Sequence, residues 1–67
     1  MSHPFKQKGY VYHHGKAQEL EEAGKWAEAA RAWKRAGQSA KTLDDLLRAN
    51  RRRDHCLRKQ AQVTEGV

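Results

Sequence analysis

Cysteine and proline are nearly absent from this 67-residue chain, which has one of each, Cys56 and Pro4. A single cysteine excludes a framework of intramolecular disulfides, and a free thiol is typical of a reducing compartment. No run of about 18 apolar residues occurs, and the first 15 residues lack the apolar stretch of a signal peptide. The sequence therefore predicts a cytoplasmic protein that has neither disulfides nor a membrane-spanning helix.

Apolar residues are also scarce, at 37% of the chain. Below roughly 70 to 80 residues, a single core rarely contributes more than about 3 to 5 kcal/mol of stability. Burial of surface against a partner, or against a second copy in a homodimer, would add to that small core. We therefore expect a partner-binding module.

Basic residues are in excess, with a formal net charge of +6, and the excess lies beyond residue 24. Residues 25–41 carry five bases against Glu28, and residues 48–59 carry six bases against Asp54. Such an excess favours an acidic partner surface or nucleic acid.

Regular spacing of apolar residues between positions 17 and 40 predicts a tight helical hairpin. From Trp26 onward, two tryptophans and several alanines recur on one side of a helix. Gly24 interrupts the pattern just before Trp26, where a left-handed residue would end the first helix and let the second fold back. The polar side of the second helix carries Arg31, Lys34, Arg35 and Gln38.

Thr42 marks the start of a third helix, because its hydroxyl can cap the helix and Asp44 and Asp45 follow in the first turn. Apolar residues then recur at the spacing of one helix face. These residues are Leu43, Leu46, Leu47, Ala49, Cys56 and Leu57.

The predicted fold is therefore all-α, a helical hairpin followed by a third, basic helix in a single domain over residues 12–62. The first helix is expected to start at about Tyr12 or Lys16 and to end at Ala23. The second helix is expected to cover Lys25–Ala40, and no strand pattern occurs anywhere.

The two ends of the chain lack periodicity. Residues 1–11 contain Pro4 and Gly9 and are predicted to form a flexible arm. The third helix is expected to end near Gln60 to Gln62, and residues 63–67 are predicted to fray.

No arrangement of side chains predicts an enzyme, a metal site or a cofactor site. His13, His14, His55 and Cys56 lack the paired spacing of zinc ligands, and neighbouring residues on a helix point about 100° apart. The acidic residues near the end of the first helix, Glu19, Glu21 and Glu22, are expected either to be solvated or to meet bases on a neighbouring helix.

The basic residues have two interpretations, contact with a phosphate backbone or a solvated, protein-facing surface. A bare basic helix lacks the geometry of a helix-turn-helix reader, so base specificity is not predicted. The candidate contacts with nucleic acid or an acidic partner are Arg31, Lys34, Arg35, Arg48, Arg51, Arg52, Arg53, Arg58 and Lys59.

The two tryptophans are open to two interpretations as well. A seam of tryptophan and alanine is how a short hairpin buries area, but an exposed indole edge would serve as an interface anchor. The candidate partner-binding residues are Leu20, Trp26, Ala29, Trp33, Leu43, Leu46 and Leu47.

The run Gly24-x-Trp26-x-x-Ala29-x-x-x-Trp33-x-x-Ala36 looks like the second half of a tetratricopeptide repeat, but only one unit is present and a solenoid needs about three. The longer pattern, which adds Ala17, Leu20, Ala30 and an Arg-rich helix ending in Cys56, resembles the ANR family. Members of that family are small negative regulators of AraC-type activators in enteric bacteria and their mobile elements.

This resemblance implies a cytoplasmic helical protein that binds an AraC/XylS-type virulence activator and blocks its dimerisation and DNA binding. It also implies a link to a nucleoid-associated silencing protein. The third helix, with Arg52, Arg53, Cys56 and Leu57, is similar as well to the PerC family of small transcriptional activators. That second resemblance implies direct DNA binding through the basic helices, and the sign of regulation stays open between the two.

Overall fold

The computed structural model describes residues 5–66 of the chain, with side chains over residues 9–63. Three helices follow one another: α1, Phe5–Glu22; α2, Trp26–Ser39; and α3, Leu43–Gly66. Strands are absent from the described residues, and the predicted all-α, three-helix fold is confirmed. Within the same residues, no helix is both long enough and apolar enough to cross a membrane.

Helix α2 lies between α1 and α3 and packs along both, whereas α1 and α3 contact each other at few points. The domain measures 49 × 22 × 12 Å along its principal axes, so the helices form a single layer. Small side chains allow the close approach of the three helices, and one indole fills the seam between them. The buried apolar side chains of the core are Ala17, Ala29, Ala30, Ala32, Trp33, Ala36, Ala49 and Cys56.

The turn between α1 and α2 is set by Gly24, as the sequence predicts. Gly24 has a φ of +77°, a left-handed conformation that costs a residue with a Cβ roughly 1–2 kcal/mol. The N–H of Gly24 donates to the carbonyl of Glu21, and the N–H of Lys25 donates to that of Leu20, both at 2.9 Å. This pair of hydrogen bonds is a Schellman motif, which satisfies the last carbonyls of α1 and reverses the chain.

Helix α1 begins earlier than predicted, at Phe5 rather than at Tyr12 or Lys16. The predicted flexible arm is therefore wrong from Phe5 onward, and its residues 1–4 lie outside the described residues. The periodicity is weak there because Gly9 interrupts it. Gly9 is nevertheless helical and faces Ser39, whose Oγ would lie 3.3 Å from a Cβ at position 9. It permits a close approach of α1 to α2 rather than marking a loop.

Helix α3 begins as predicted and ends later. The N–H of Asp45 donates to Oγ1 of Thr42 at 3.1 Å, which confirms the cap. The helix continues to Gly66, so the predicted end near Gln62 and the fraying tail are wrong up to that residue. No glycine or proline interrupts residues 63–65, and extension of an existing helix costs little.

The apolar face predicted for α3 is buried only in part. Ala49 and Cys56 are fully buried, whereas Leu43, Leu47 and Leu57 are 67%, 47% and 45% exposed. The reason is the single-layer arrangement: α3 packs mainly on one neighbour, so only a narrow stripe of its surface is covered.

Two glycines of α1 and its turn provide a test of the turn geometry. Gly24→Ala is expected to lower the free energy of unfolding by about 1 kcal/mol, because alanine is strained at positive φ. Gly15→Ala is the matched control: position 15 is helical and has no atom within 4 Å of a Cβ. It is expected to raise stability by about 0.5–1 kcal/mol. Urea unfolding followed by circular dichroism measures both, and a Gly24→Ala variant as stable as Gly15→Ala would contradict the assignment.

Candidate functional site

One carboxylate, that of Glu21 near the end of α1, binds side chains of both other helices. Its Oε2 accepts hydrogen bonds from Nε1 of Trp33 at 2.5 Å and from Nε of Arg52 at 3.3 Å. The thiol of Cys56 approaches the same oxygen at 3.4 Å, and Nη2 of Arg52 pairs with Oε1. The Glu21 side chain is only 12% exposed. We call Glu21, Trp33, Arg52 and Cys56 the carboxylate cluster.

The carboxylate cluster keeps Glu21 ionised. Burial has the largest effect on the pKa of Glu21 and raises it, but hydrogen bonds from Arg52, Trp33 and Cys56 together outweigh burial. The pKa of Glu21 therefore lies below its ordinary value of 4.5. The hydrogen bond to Glu21 in turn raises the pKa of Arg52, against a smaller opposing effect of burial. The ion pair is charged throughout the neutral range.

The same surroundings keep Cys56 protonated. Burial first, and then the hydrogen bond and negative charge of Glu21, raise the pKa of the thiol from 9.0 to about 12. Only the thiolate is a nucleophile or metal ligand. Within residues 5–66, no three His, Cys, Asp or Glu side chains converge on a point that could hold a metal ion.

The sequence predicts only part of the role of Glu21. The sequence predicts that acids at this end of α1 are either solvated or meet bases on another helix, and Glu21 meets Arg52. The contact with Trp33 was missed. A buried indole N–H requires an acceptor, but the spacing of Glu19, Glu21 and Glu22 does not reveal which carboxylate supplies it.

An open groove of about 540 Å³ lies beside the carboxylate cluster, between α1 and α3. Trp33 lies at its base, with the ring of His14 edge-on at a centroid distance of 4.9 Å. Exposed arginines line the α3 side, and polar residues of α1 line the other. The remaining lining residues are Gln18, Glu21, Glu22, Arg48, Arg51 and Arg52.

The predicted basic contacts fall into three groups. Arg48, Arg51 and Arg52 line the groove between α1 and α3. A second group lies on shallow surfaces elsewhere, over α2 and the far side of α3: Arg31, Lys34, Arg35 and Arg53. Arg58 and Lys59 are exposed further along α3, and Nζ of Lys59 lies 6.0 Å from the ring centroid of Trp26.

The predicted partner-binding residues are also divided. Ala29 and Trp33 are 0% and 2% exposed, so as direct partner contacts they are wrong: both belong to the core, where the close packing of α2 requires them. Leu20, Leu46 and Trp26 are half-buried. Leu43 and Leu47 remain exposed on α3.

Trp26 differs from Trp33 in having one side near the surface. The ring of His55 lies edge-on to it, with centroids 6.1 Å apart.

No protein-family model matches the chain, and no curated protein or solved structure shows detectable similarity to it.

The carboxylate cluster predicts a pH-dependent stability. Because the folded-state pKa of Glu21 lies below 4.5, the unfolded chain binds its proton first as the pH falls. The stabilising contribution is thus complete above about pH 5 and is lost as the pH falls through the lowered pKa. Glu21→Gln is expected to cost about 1–3 kcal/mol at neutral pH, a range that allows for the exposure of Arg52.

Glu22→Gln is the matched control for this substitution, because Glu22 is the adjacent, exposed glutamate. Urea unfolding at a series of pH values should show the wild type and Glu21→Gln converging in acid, while Glu22→Gln stays within about 0.5 kcal/mol of the wild type. Equal effects of the two substitutions on the free energy of unfolding would contradict the stabilising role of the carboxylate cluster. A difference between the wild type and Glu21→Gln that stays constant across pH would contradict it too.

The burial and the raised pKa of Cys56 predict that its thiol reacts slowly. Reaction with a disulfide reagent at about pH 8 is expected to be at least 100-fold slower in the native protein than in guanidinium chloride. Absorbance of the released thiolate measures the rate. A native rate within tenfold of the unfolded rate would mean that the sulfur is accessible.

Proposed function

We propose that this chain is a small, non-catalytic transcriptional regulator that binds an AraC/XylS-type activator and blocks its dimerisation and DNA binding. The observation that carries the proposal is the exposure of Leu43 and Leu47 on α3. Together with Arg51, they are spaced four residues apart and follow one edge of the helix. We call Leu43, Leu47 and Arg51 the leucine edge.

The leucine edge has the composition of a protein interface rather than of a solvated surface. Exposed apolar side chains sit beside arginine, a combination of an apolar centre and a charged rim. Full burial of a leucine against a partner contributes about 1.5–3 kcal/mol, and the charge of Arg51 would increase the association rate and restrict partner choice. The domain's own core, which is mostly alanine, leaves room for additional burial to matter.

The family resemblance supports the choice of partner. The pattern of glycine, tryptophan and alanine that resembles the ANR family builds the turn and the packed seam of this domain. Trp33 and Ala29 hold α2 in place, and α3 then presents its leucines outward. In this proposal the activator's dimerisation surface covers the leucine edge, so the activator stays monomeric and off its promoter.

A pair of leucines on the same helix tests the surface. Leu47 and Leu57 have nearly equal exposure, 47% and 45%, but only Leu47 belongs to the leucine edge, whereas Leu57 lines a groove between α2 and α3. Titration calorimetry with a purified AraC-type activator from the same genome should give saturable binding. Leu47→Asp is expected to weaken it at least tenfold, as expected for loss of about 1.5 kcal/mol or more of burial.

Leu57→Asp is expected to change the affinity by less than about threefold, with helicity checked by circular dichroism for both variants. Sedimentation of the activator alone and with the protein reports whether its dimer dissociates. Absence of binding, or equal loss in both variants, would contradict the proposed function.

A further inference from the structure

Five basic side chains from all three helices form one continuous surface away from the groove between α1 and α3. One shallow depression is lined by Lys16 of α1 together with Arg31 and Arg35 of α2. Arg31 and Lys34 line a second one together with Arg53 of α3, and the three bases of α2 line a third. Because Arg31 belongs to all three, these depressions are contiguous. We call Lys16, Arg31, Lys34, Arg35 and Arg53 the basic face.

The basic face has little internal compensation. Glu28 is the one acid among the residues that line its depressions. Within the part of the chain that the structure describes, none of the five cations forms a salt bridge, and Nε of Arg53 is buried without a hydrogen-bond partner. Five adjacent positive charges repel one another, so a bound polyanion would relieve an existing cost.

The composition of the basic face distinguishes among polyanions. Its centre is Arg31, Lys34, Arg35 and Gln38, with no exposed apolar or aromatic anchor; Tyr12 and Leu57 lie only in the outer depressions. The buried core of a protein interface is typically apolar, and proteins that bind single-stranded nucleic acid combine a basic groove with aromatic stacking platforms. The phosphate backbone of a duplex requires only correctly spaced cations.

We propose that the basic face binds the backbone of double-stranded DNA without reading its bases. The site excludes Arg48 and Arg51, which line the groove between α1 and α3, and it includes Lys16, which the sequence pattern does not single out. This is a second function, independent of the leucine edge. The cations lie on three folded helices in a layer 12 Å thick, so binding requires no folding of the protein.

Fluorescence anisotropy with a labelled duplex of arbitrary sequence tests the proposal with the intact chain. If all five cations neutralise a phosphate, log K should fall with log salt with a slope of about −4.5. The triple variant Arg31→Glu, Lys34→Glu, Arg35→Glu should bind at least 30-fold more weakly at about 0.1 M salt, with a slope of about −2.

A charge-matched triple variant, Arg48→Glu, Arg51→Glu, Arg58→Glu, separates the basic face from net charge. Arg48, Arg51 and Arg58 are all exposed. The two triple variants change the net charge of the chain by the same amount. This control should keep duplex affinity within about threefold, although it alters the rim of the leucine edge and should weaken activator binding. The two variants therefore distinguish failure of DNA binding from failure of the proposed function.

Equal loss of duplex binding in the two triple variants would overturn the proposal, because net charge alone would then explain the affinity. Absence of wild-type binding would overturn it too. The remaining comparison is with polyglutamate of matched charge. If the protein binds polyglutamate more weakly than the duplex, the result supports a phosphate-backbone site, and equal binding of the two refutes it.

Discussion

One largely buried carboxylate, that of Glu21, joins all three helices. Glu21 is held near the end of α1 by the Schellman turn at Gly24, and from there it accepts hydrogen bonds from Trp33 of α2 and Arg52 of α3. Helices α1 and α3 otherwise meet at few points, so this carboxylate is the main polar connection across the layer. It also gives the buried indole N–H its acceptor, without which the indole would carry an unsatisfied donor.

The thin architecture explains how so small a domain leaves two chemically different surfaces exposed. A layer of three helices buries a narrow alanine seam and leaves the outer side of α3 and the basic face exposed. The leucine edge and the basic face differ in chemistry, one apolar with an arginine rim and the other almost purely cationic. The first suits a protein partner, and the second suits a phosphate backbone.

Local rules predicted the middle of the chain well and its ends poorly. Gly24, Thr42 and the bounds of α2 follow from capping and from a strong 3.6-residue period, both readable in a few adjacent residues. The start of α1 was missed because Gly9 serves a close helix contact, which depends on Ser39 thirty residues away. Exposure of Leu43 and Leu47 and the partners of Glu21 likewise depend on which helix lies in the middle, and periodicity carries no information about that arrangement.

The carboxylate cluster is tested most directly by the two indole N–H resonances in a nitrogen-15 spectrum recorded against pH. Only Trp33 donates to Glu21, and Trp26 serves as an internal reference. We expect the Trp33 indole resonance to titrate with a midpoint below 4.5 and the Trp26 resonance not to follow it. A Trp33 midpoint at or above 4.5, or identical behaviour of the two indoles, would contradict the central role of Glu21.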